Sequence, residues 1–391
     1  MNMPLARSVG ARHHAAMIRR PRWTIDMGGA AMRAVVRRNK QLICDEVPDP
    51  VPGHGEVLVK TLACGICGSD LHAVHSFENM LELGARTGET PRTDPSKDMI
   101  FGHEFSAEIL DHGPGSAKRL KAGTRVVSMP IAMKPEGYEA IGYSNNYPGG
   151  YSEQMVLSEA MLLEVPNGLS DVQAAMTEPF AVGEHAVAMS AAGPDTVNLV
   201  IGCGPVGLAV IAGLKSRGLG PVVAADFSPA RRAVAEKMGA DVIVDPAKES
   251  PHTKWSELGV PRTSSERMAA MMTGQKGKRA IVFECVGVPG VLQNIIESVP
   301  VSTQVIVAGV CMETDKIEPF LCINKQIDFR FVLGYTAEEF AATLGNIANG
   351  KIDVLPAITD EVGLDGVPAA FAALADPEQQ CKVVVRPELK A

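Results

Sequence analysis

Apolar positions change their period twice along this chain, and the changes divide it into three stretches. From Ala34 to about Val165, short β-type runs stand between Gly and Pro breaks. Ala34-Val35-Val36, Val57 to Lys60, Phe105 to Ile109 and Arg125 to Ser128 carry them, with no long helical period between. That pattern predicts a mostly β, barrel-like unit. The middle reads differently. Asn198 to Ile201 predicts a buried strand, Val206 to Ser216 a helix, and Pro221 to Ala225 a second strand. Pro229 to Met238 follows as a second helix stopped by Gly239. Val242 to Val244, Ala280 to Phe283 and Gln304 to Val307 supply further strands. Strands alternating with helices of this length predict a parallel, doubly wound sheet. After about Gly334 the first pattern returns, with a helix over Ala337 to Asn349 and a closing strand over Lys382 to Val385. The expected arrangement is a β-rich unit interrupted by an α/β nucleotide-binding unit. Lys248 to Lys278 is longer and more polar than a plain connection requires, which predicts a surface insertion.

Length agrees with two units, since 391 residues is about twice an ordinary domain. The run from Val197 to Leu214 is marginally long enough to cross a membrane. Gly202, Gly204, Pro205 and Gly207 interrupt it where a strand would turn into a helix, so no membrane span is expected. A formal net charge of −8 argues against nucleic acid as a partner, because such a partner needs a basic face. Eight cysteines are scattered, with only Cys64 and Cys67 close together, which suits a reducing cytoplasm and not a disulfide framework. Residues 1–31 stand apart: Arg7, Arg12, Arg19, Arg20 and Arg22 face one acid, Asp26. A disordered extension, or a working start at Met32, is the expectation; an Arg-rich transit peptide is the rival.

Gly202-Cys203-Gly204-Pro205-Val206-Gly207 is a GxGxxG directly after a strand and at the start of a helix. The first glycine permits the tight turn, the second admits a pyrophosphate, and the third lets helix pack on strand. The helix N-terminus then receives the anion. Asp226, ending the second strand, is placed to accept from ribose hydroxyls. Its charge would repel the 2′-phosphate of NADP, so NAD is expected. Arg231 and Arg232 pull the other way, as arginines here can accommodate that phosphate or can simply line a solvated helix face.

Cys64-Gly65-Ile66-Cys67 lacks the second cysteine pair of a zinc ribbon, and it lies outside the βαβ region that a redox CxxC would open. A better candidate uses the residues around it. Cys67-Gly68-Ser69-Asp70-Leu71-His72 and Gly102-His103-Glu104 both follow β-type segments, and Glu178 arrives in Thr177-Glu178-Pro179-Phe180. One thiolate, one imidazole and one carboxylate make a three-ligand catalytic site with an open position. Alone, His103 reads as a loop histidine, Ser69 as a turn hydroxyl and His72 as a surface histidine. Their conjunction is what carries weight.

In order and spacing, Gly65-Ile66-Cys67-Gly68-Ser69-Asp70-Leu71-His72, Gly102-His103-Glu104, Glu178-Pro179 and the GxGxxG together resemble the zinc-containing medium-chain dehydrogenase/reductase family, in the manner of its sorbitol and butanediol dehydrogenases. The similarity runs from about Met32 to the C-terminus. It implies a Rossmann doubly wound sheet (186–333) inserted in a β-rich GroES-like catalytic domain (32–185 and 334–391). It implies that Cys67 and His103 bind a catalytic zinc and that Glu178 stands where polyol enzymes place a glutamate. Glu104 is then an alternative ligand or a group behind the ligands, and Asp70 orients His103. Cofactor contacts fall to Gly202, Gly204, Pro205, Val206, Gly207, Asp226 and Arg231. Many relatives carry a four-cysteine lobe for a structural zinc; no cysteine lies between Glu104 and Glu178, so one zinc is expected.

The implied reaction moves a hydride between NAD and an alcohol, with a secondary alcohol, diol or polyol favoured and a carbonyl as the reverse substrate. Ser69 accepts the alcohol proton and hands it towards His72, whose ring titrates near working pH. An NADP-linked enzyme, or a zinc-free enone or quinone reductase of the same architecture, is the alternative. The segment between His72 and Gly102 is longer than in typical relatives, with a short helix expected over Phe77 to Leu83, so the substrate cannot be carried over. A homodimer or homotetramer is expected. Val301 to Val310 reads either as a sheet edge for pairing or as buried core.

Overall fold

In a computed structural model of the chain, residues 31–390 are described apart from 89, 91, 136, 167, 275 and 276. The extension expected over 1–31 lies outside the described residues, except that Ala31 already opens a strand. The β-rich unit is built on one ten-residue strand, Glu56–Gly65. Glu104–His112 pairs along one edge of it; Gln154–Ser158 and Lys382–Val385 share the other. Its first half alternates, with Val57 and Val59 buried and Lys60 exposed, as a half-covered strand should. From Thr61 to Gly65 every residue is buried, because there the strand runs inward towards the residues singled out as metal ligands. The sheet continues through Arg125–Ser128 to Leu162–Glu164 on one side and through Lys382–Val385 to Ile358–Val362 on the other. The closing strand therefore returns to the part of the chain that opened the unit.

The middle of the chain forms six parallel strands in the order Val242–Val244, Val222–Ala225, Thr196–Ile201, Arg279–Glu284, Gln304–Val307, Asp328–Phe331. This is the doubly wound arrangement with its order reversing between Thr196–Ile201 and Arg279–Glu284, and ligands bind at that reversal beyond the carboxyl ends. The apolar run from Val197 to Leu214 splits into the strand Thr196–Ile201 and the helix Pro205–Ser216. Among the described residues, no helix is long and apolar enough to cross a membrane.

Two local expectations need revision, and one left open is decided. Of the two readings of Val301 to Val310, buried core holds: Gln304–Val307 lies inside the sheet, and Asp328–Phe331 forms the edge. That strand was missed because Asp328-Phe329-Arg330-Phe331 mixes charge with apolar residues, as edge strands do. The short helix expected over Phe77 to Leu83 belongs to a longer one, Gly68–Arg86, broken at Ser76 (φ −126°, ψ 28°). The break falls next to Val74, whose carbonyl accepts from the buried Arg37 guanidinium at 3.2 Å. The stretch from Lys248 to Lys278 is only partly a surface insertion. Its helix Ser264–Met272 buries nothing, yet Trp255 enters the core beside Val197, Leu199 and Ile295.

Candidate metal and dinucleotide site

Cys67 caps the helix Gly68–Arg86, so its sulfur sits at a helix N-terminus, where negative charge is best placed. Asp70, in the first turn, reaches back and accepts from the Cys67 backbone N–H at 3.3 Å. His103 and Glu104 come from the other side, at the entry to the strand Glu104–His112, which pairs with Glu56–Gly65. Gly65 lies directly opposite Glu104, and a Cβ there would strike the Glu104 carboxylate. Glycine at 65 is thus a condition for placing that carboxylate. The result brings one donor atom each from Cys67, His103 and Glu104 within 4.8 Å of one another.

Asp70 is wholly buried and heavily engaged. Its Oδ2 accepts from the Tyr151 phenol at 2.6 Å, and its Oδ1 accepts from Tyr143 at 2.7 Å and faces His103 Nδ1 at 3.4 Å. Burial alone would raise this carboxyl, but the His103 charge and the two phenols hold its pKa below the ordinary range. The imidazole responds in kind: burial opposes its charge, yet Asp70 and Cys67 raise its pKa well above the usual value. Among the described residues, His103 Nδ1 is buried without a hydrogen bond of good geometry. With Nδ1 turned to Asp70, Nε2 is left for a metal. Thiolate, imidazole and carboxylate are the donor set that zinc accepts, and these residues fit it.

Glu178 lies outside the three-residue group. Its Oε1 accepts from Tyr335 at 2.9 Å, and its carboxyl is pushed up to about 7 by burial, with the Glu104 charge adding to the shift. Glu104 is balanced differently: both its oxygens accept from Lys382 Nζ, at 2.8 and 2.7 Å, in a fully buried pair. Lys382 also donates to the Ile66 carbonyl at 2.9 Å. Ser69 and His72 stand one turn apart on the same helix face, Ser69 half-buried and His72 exposed.

Sequence reasoning missed Lys382, Tyr143, Tyr151 and Tyr335. Lys382 was legible only as the first residue of a valine-rich strand, and a lysine at a strand end is ordinarily solvated. The tyrosines are three of only five in the chain, which is the one signal that was available.

The structure brings four of the residues expected to contact a dinucleotide to one cleft. A cleft of about 810 Å³ is lined by Gly202, Gly204, Asp226 and Arg231, among others. Gly202 adopts φ +91°, and a Cβ on Gly207 would strike the Gly202 carbonyl, so the turn and the helix packing both require glycine. Pro205 and Val206 form the first turn of the helix Pro205–Ser216, whose Gly204 cap offers no side chain to the free N–H groups. The space beside Gly204 is bounded by the Arg231 guanidinium, 3.8 Å from where a Cβ would sit, and Arg231 Nε is buried without a hydrogen-bond partner among the described residues. A pyrophosphate would satisfy both. Asp226 is aimed by the Cys203 N–H at 2.7 Å and the Ser228 N–H at 2.8 Å. Arg232 is otherwise employed, donating to the Asp226 and Phe227 carbonyls and to Asp245. The chain links the two sites directly: Pro377 and Glu378 line the cleft, and Lys382, a few residues on, holds Glu104.

Fold and donor set together define metal-assisted dehydrogenases built on a dinucleotide sheet. Residues 53–167 match the alcohol dehydrogenase GroES-like domain, and residues 205–349 match the zinc-binding dehydrogenase family. The chain is 30% identical over 358 residues to (R,R)-butanediol dehydrogenase of Bacillus subtilis, covering 89% of this chain and 97% of that protein. Sorbitol dehydrogenase of the same organism is 28% identical over 373 residues, covering 90% and 96%. The crystal structure of 2R,3R-butanediol dehydrogenase from Bacillus subtilis superposes with a TM-score of 0.72 at 30% identity, over 91% of this chain and 100% of that one. The chain belongs to the zinc-type medium-chain alcohol dehydrogenase family.

Lys382→Met leaves Glu104 buried without its counter-charge, which typically costs about 3–5 kcal/mol. Denaturant unfolding is expected to show that loss in chelator-treated protein and a smaller one with zinc added, since a cation beside Glu104 restores balance. Equal losses with and without zinc would detach Glu104 from the metal.

Proposed function

We propose that this enzyme oxidises a secondary alcohol, diol or polyol to the carbonyl compound, and reverses that reaction, using NAD and one zinc ion per chain. The observation that carries the reading is the meeting of Cys67, His103 and Glu104 within 4.8 Å at the start of the helix that bears Ser69. When bound, zinc supplies Lewis acidity to the alcohol oxygen, and the nicotinamide takes up the hydride. The remaining work falls to the chain. Asp70 fixes the His103 ring, and Lys382 fixes Glu104. Ser69 takes the proton of the alcohol, and His72, exposed one turn further, is the group through which it reaches solvent.

We take Cys67, His103 and Glu104 as the protein ligands and Glu178, whose carboxylate accepts from Tyr335, as an acid outside that group. A single zinc follows from the lack of any cysteine between Glu104 and Glu178. NAD is favoured because Asp226 is held rigidly by two backbone N–H groups and Arg232 is engaged elsewhere. The domain limits read from the sequence, 32–185 with 334–391 and 186–333, are retained. A homodimer is favoured by the strand Asp328–Phe331, which leaves a sheet edge open, with Phe331 and Leu333 69% and 87% exposed.

Cys67→Ser and His103→Ala are expected to lose zinc and turnover together while NAD binding persists. Glu104→Gln should weaken zinc retention about 10–100-fold, whereas Glu178→Gln keeps the metal and loses rate. Metal analysis of the pair decides: the reverse pattern makes Glu178 the third ligand, and a zinc-free enzyme at full rate on a panel of diols and polyols refutes the chemistry. Asp226→Ala should move the NAD:NADP ratio of kcat/KM towards NADP by about tenfold, the worth of one hydrogen bond to a charged group. An unmoved ratio means the ribose is read elsewhere. Phe331→Lys should convert a sedimenting dimer to monomer; an unchanged assembly would place the interface on another face.

A further inference from the structure

The Tyr143 phenol touches two members of the site at once, Ser69 Oγ at 2.9 Å and Asp70 Oδ1 at 2.7 Å. A phenol carries one hydrogen, so it can donate to only one of them. Asp70 lies wholly buried and receives the Cys67 backbone N–H and the Tyr151 phenol, the pattern of an acceptor-only carboxylate. The Tyr143 hydrogen therefore goes to Asp70. The remaining contact must then be made by the Ser69 hydroxyl donating to the Tyr143 oxygen. Ser69, half-buried, then keeps its oxygen lone pairs for a hydrogen bond from a further donor.

Tyr143 has little freedom to do otherwise. Its ring lies among Phe77, Phe101 and His103, at centroid distances of 6.0, 5.7 and 5.3 Å. Its carbonyl accepts from Thr93 Oγ1 at 2.8 Å, so the segment that follows the long helix also braces it. Resting on the reading of Ser69 given above, we propose that Tyr143 is a positioning residue that sets the Ser69 oxygen to accept the hydrogen of the substrate alcohol; as that O–H bond breaks and the Ser69 oxygen gains the proton, Ser69 gives up its own hydrogen, which leaves Tyr143 for the path towards His72.

Tyr143→Phe keeps the ring and deletes the oxygen. In the zinc-loaded full-length enzyme, kcat for alcohol oxidation is expected to fall about tenfold, a part of what acid–base placement contributes, with KM changed less than about threefold. Zinc bound per chain should stay at the parental value. Ser69→Ala should be slow, and the double variant should be no slower than Ser69→Ala alone, because one hydroxyl cannot be mispositioned once it is gone. Parental kcat in Tyr143→Phe, or losses that multiply in the double variant, would overturn the proposal. Zinc lost in step with rate would also overturn it, showing that the phenol acts only through Asp70 and His103. Parental kcat in Ser69→Ala would instead refute the reading of Ser69, and this proposal with it.

Discussion

A carboxylate withdrawn entirely from water survives only if donors fill its lone pairs, and Asp70 meets that condition with three donors, while a fourth group, the His103 ring, faces it. A backbone N–H comes from its own helix, two phenols come from the loop around Tyr143 and Tyr151, and an imidazole comes from the loop before Glu104. Each of those groups is positioned by the requirement to face one buried charge. The cysteine at the helix start, the ring of His103 and the hydroxyl of Ser69 all take their orientation from it. Removing the carboxylate would free every one of them.

A second buried charge does comparable work at longer range. Lys382 and Glu104 pair with essentially no solvent contact, and burial would lower the lysine pKa were the Glu104 and Cys67 charges not there to raise it. A buried ion pair of this kind adds little to stability compared with apolar residues of the same size, but it tolerates only one geometry. Here that geometry fixes a carboxylate next to a thiolate and an imidazole. Burial pushes the second acid, Glu178, up to about 7, and a cation beside the two glutamates would favour their charged forms.

Much of this was legible in the residues themselves. The glycine spacing after a valine-rich strand, with Asp226 at the end of the next, pointed to the cleft that these residues line, because backbone geometry admits few alternatives there. Cys67 and His103 were legible as candidate ligands because thiol and imidazole are specific together where each alone is not, with Glu178 expected as the third and Glu104 as the alternative. Lys382 and the tyrosines were not legible, since their roles arise from register and loop packing over long separations. The edge strand Asp328–Phe331 was hidden by its own charges. Glu178 shows the limit most clearly: Glu104, not Glu178, has an oxygen grouped with Cys67 and His103, and the bond of Glu178 to Tyr335 is one that no spacing encodes.

The partners in the Lys382–Glu104 pair are 278 positions apart, with the whole parallel sheet between them. During synthesis the thiolate, imidazole and glutamate emerge early, while the lysine that steadies the glutamate emerges only after the nucleotide-binding strands. Closing so long a loop is slow unless intervening structure has already brought its ends together. Stable capture of a metal ion would thus follow maturation of the nucleotide-binding half rather than precede it, and a ribosome-bound intermediate would hold its ion loosely.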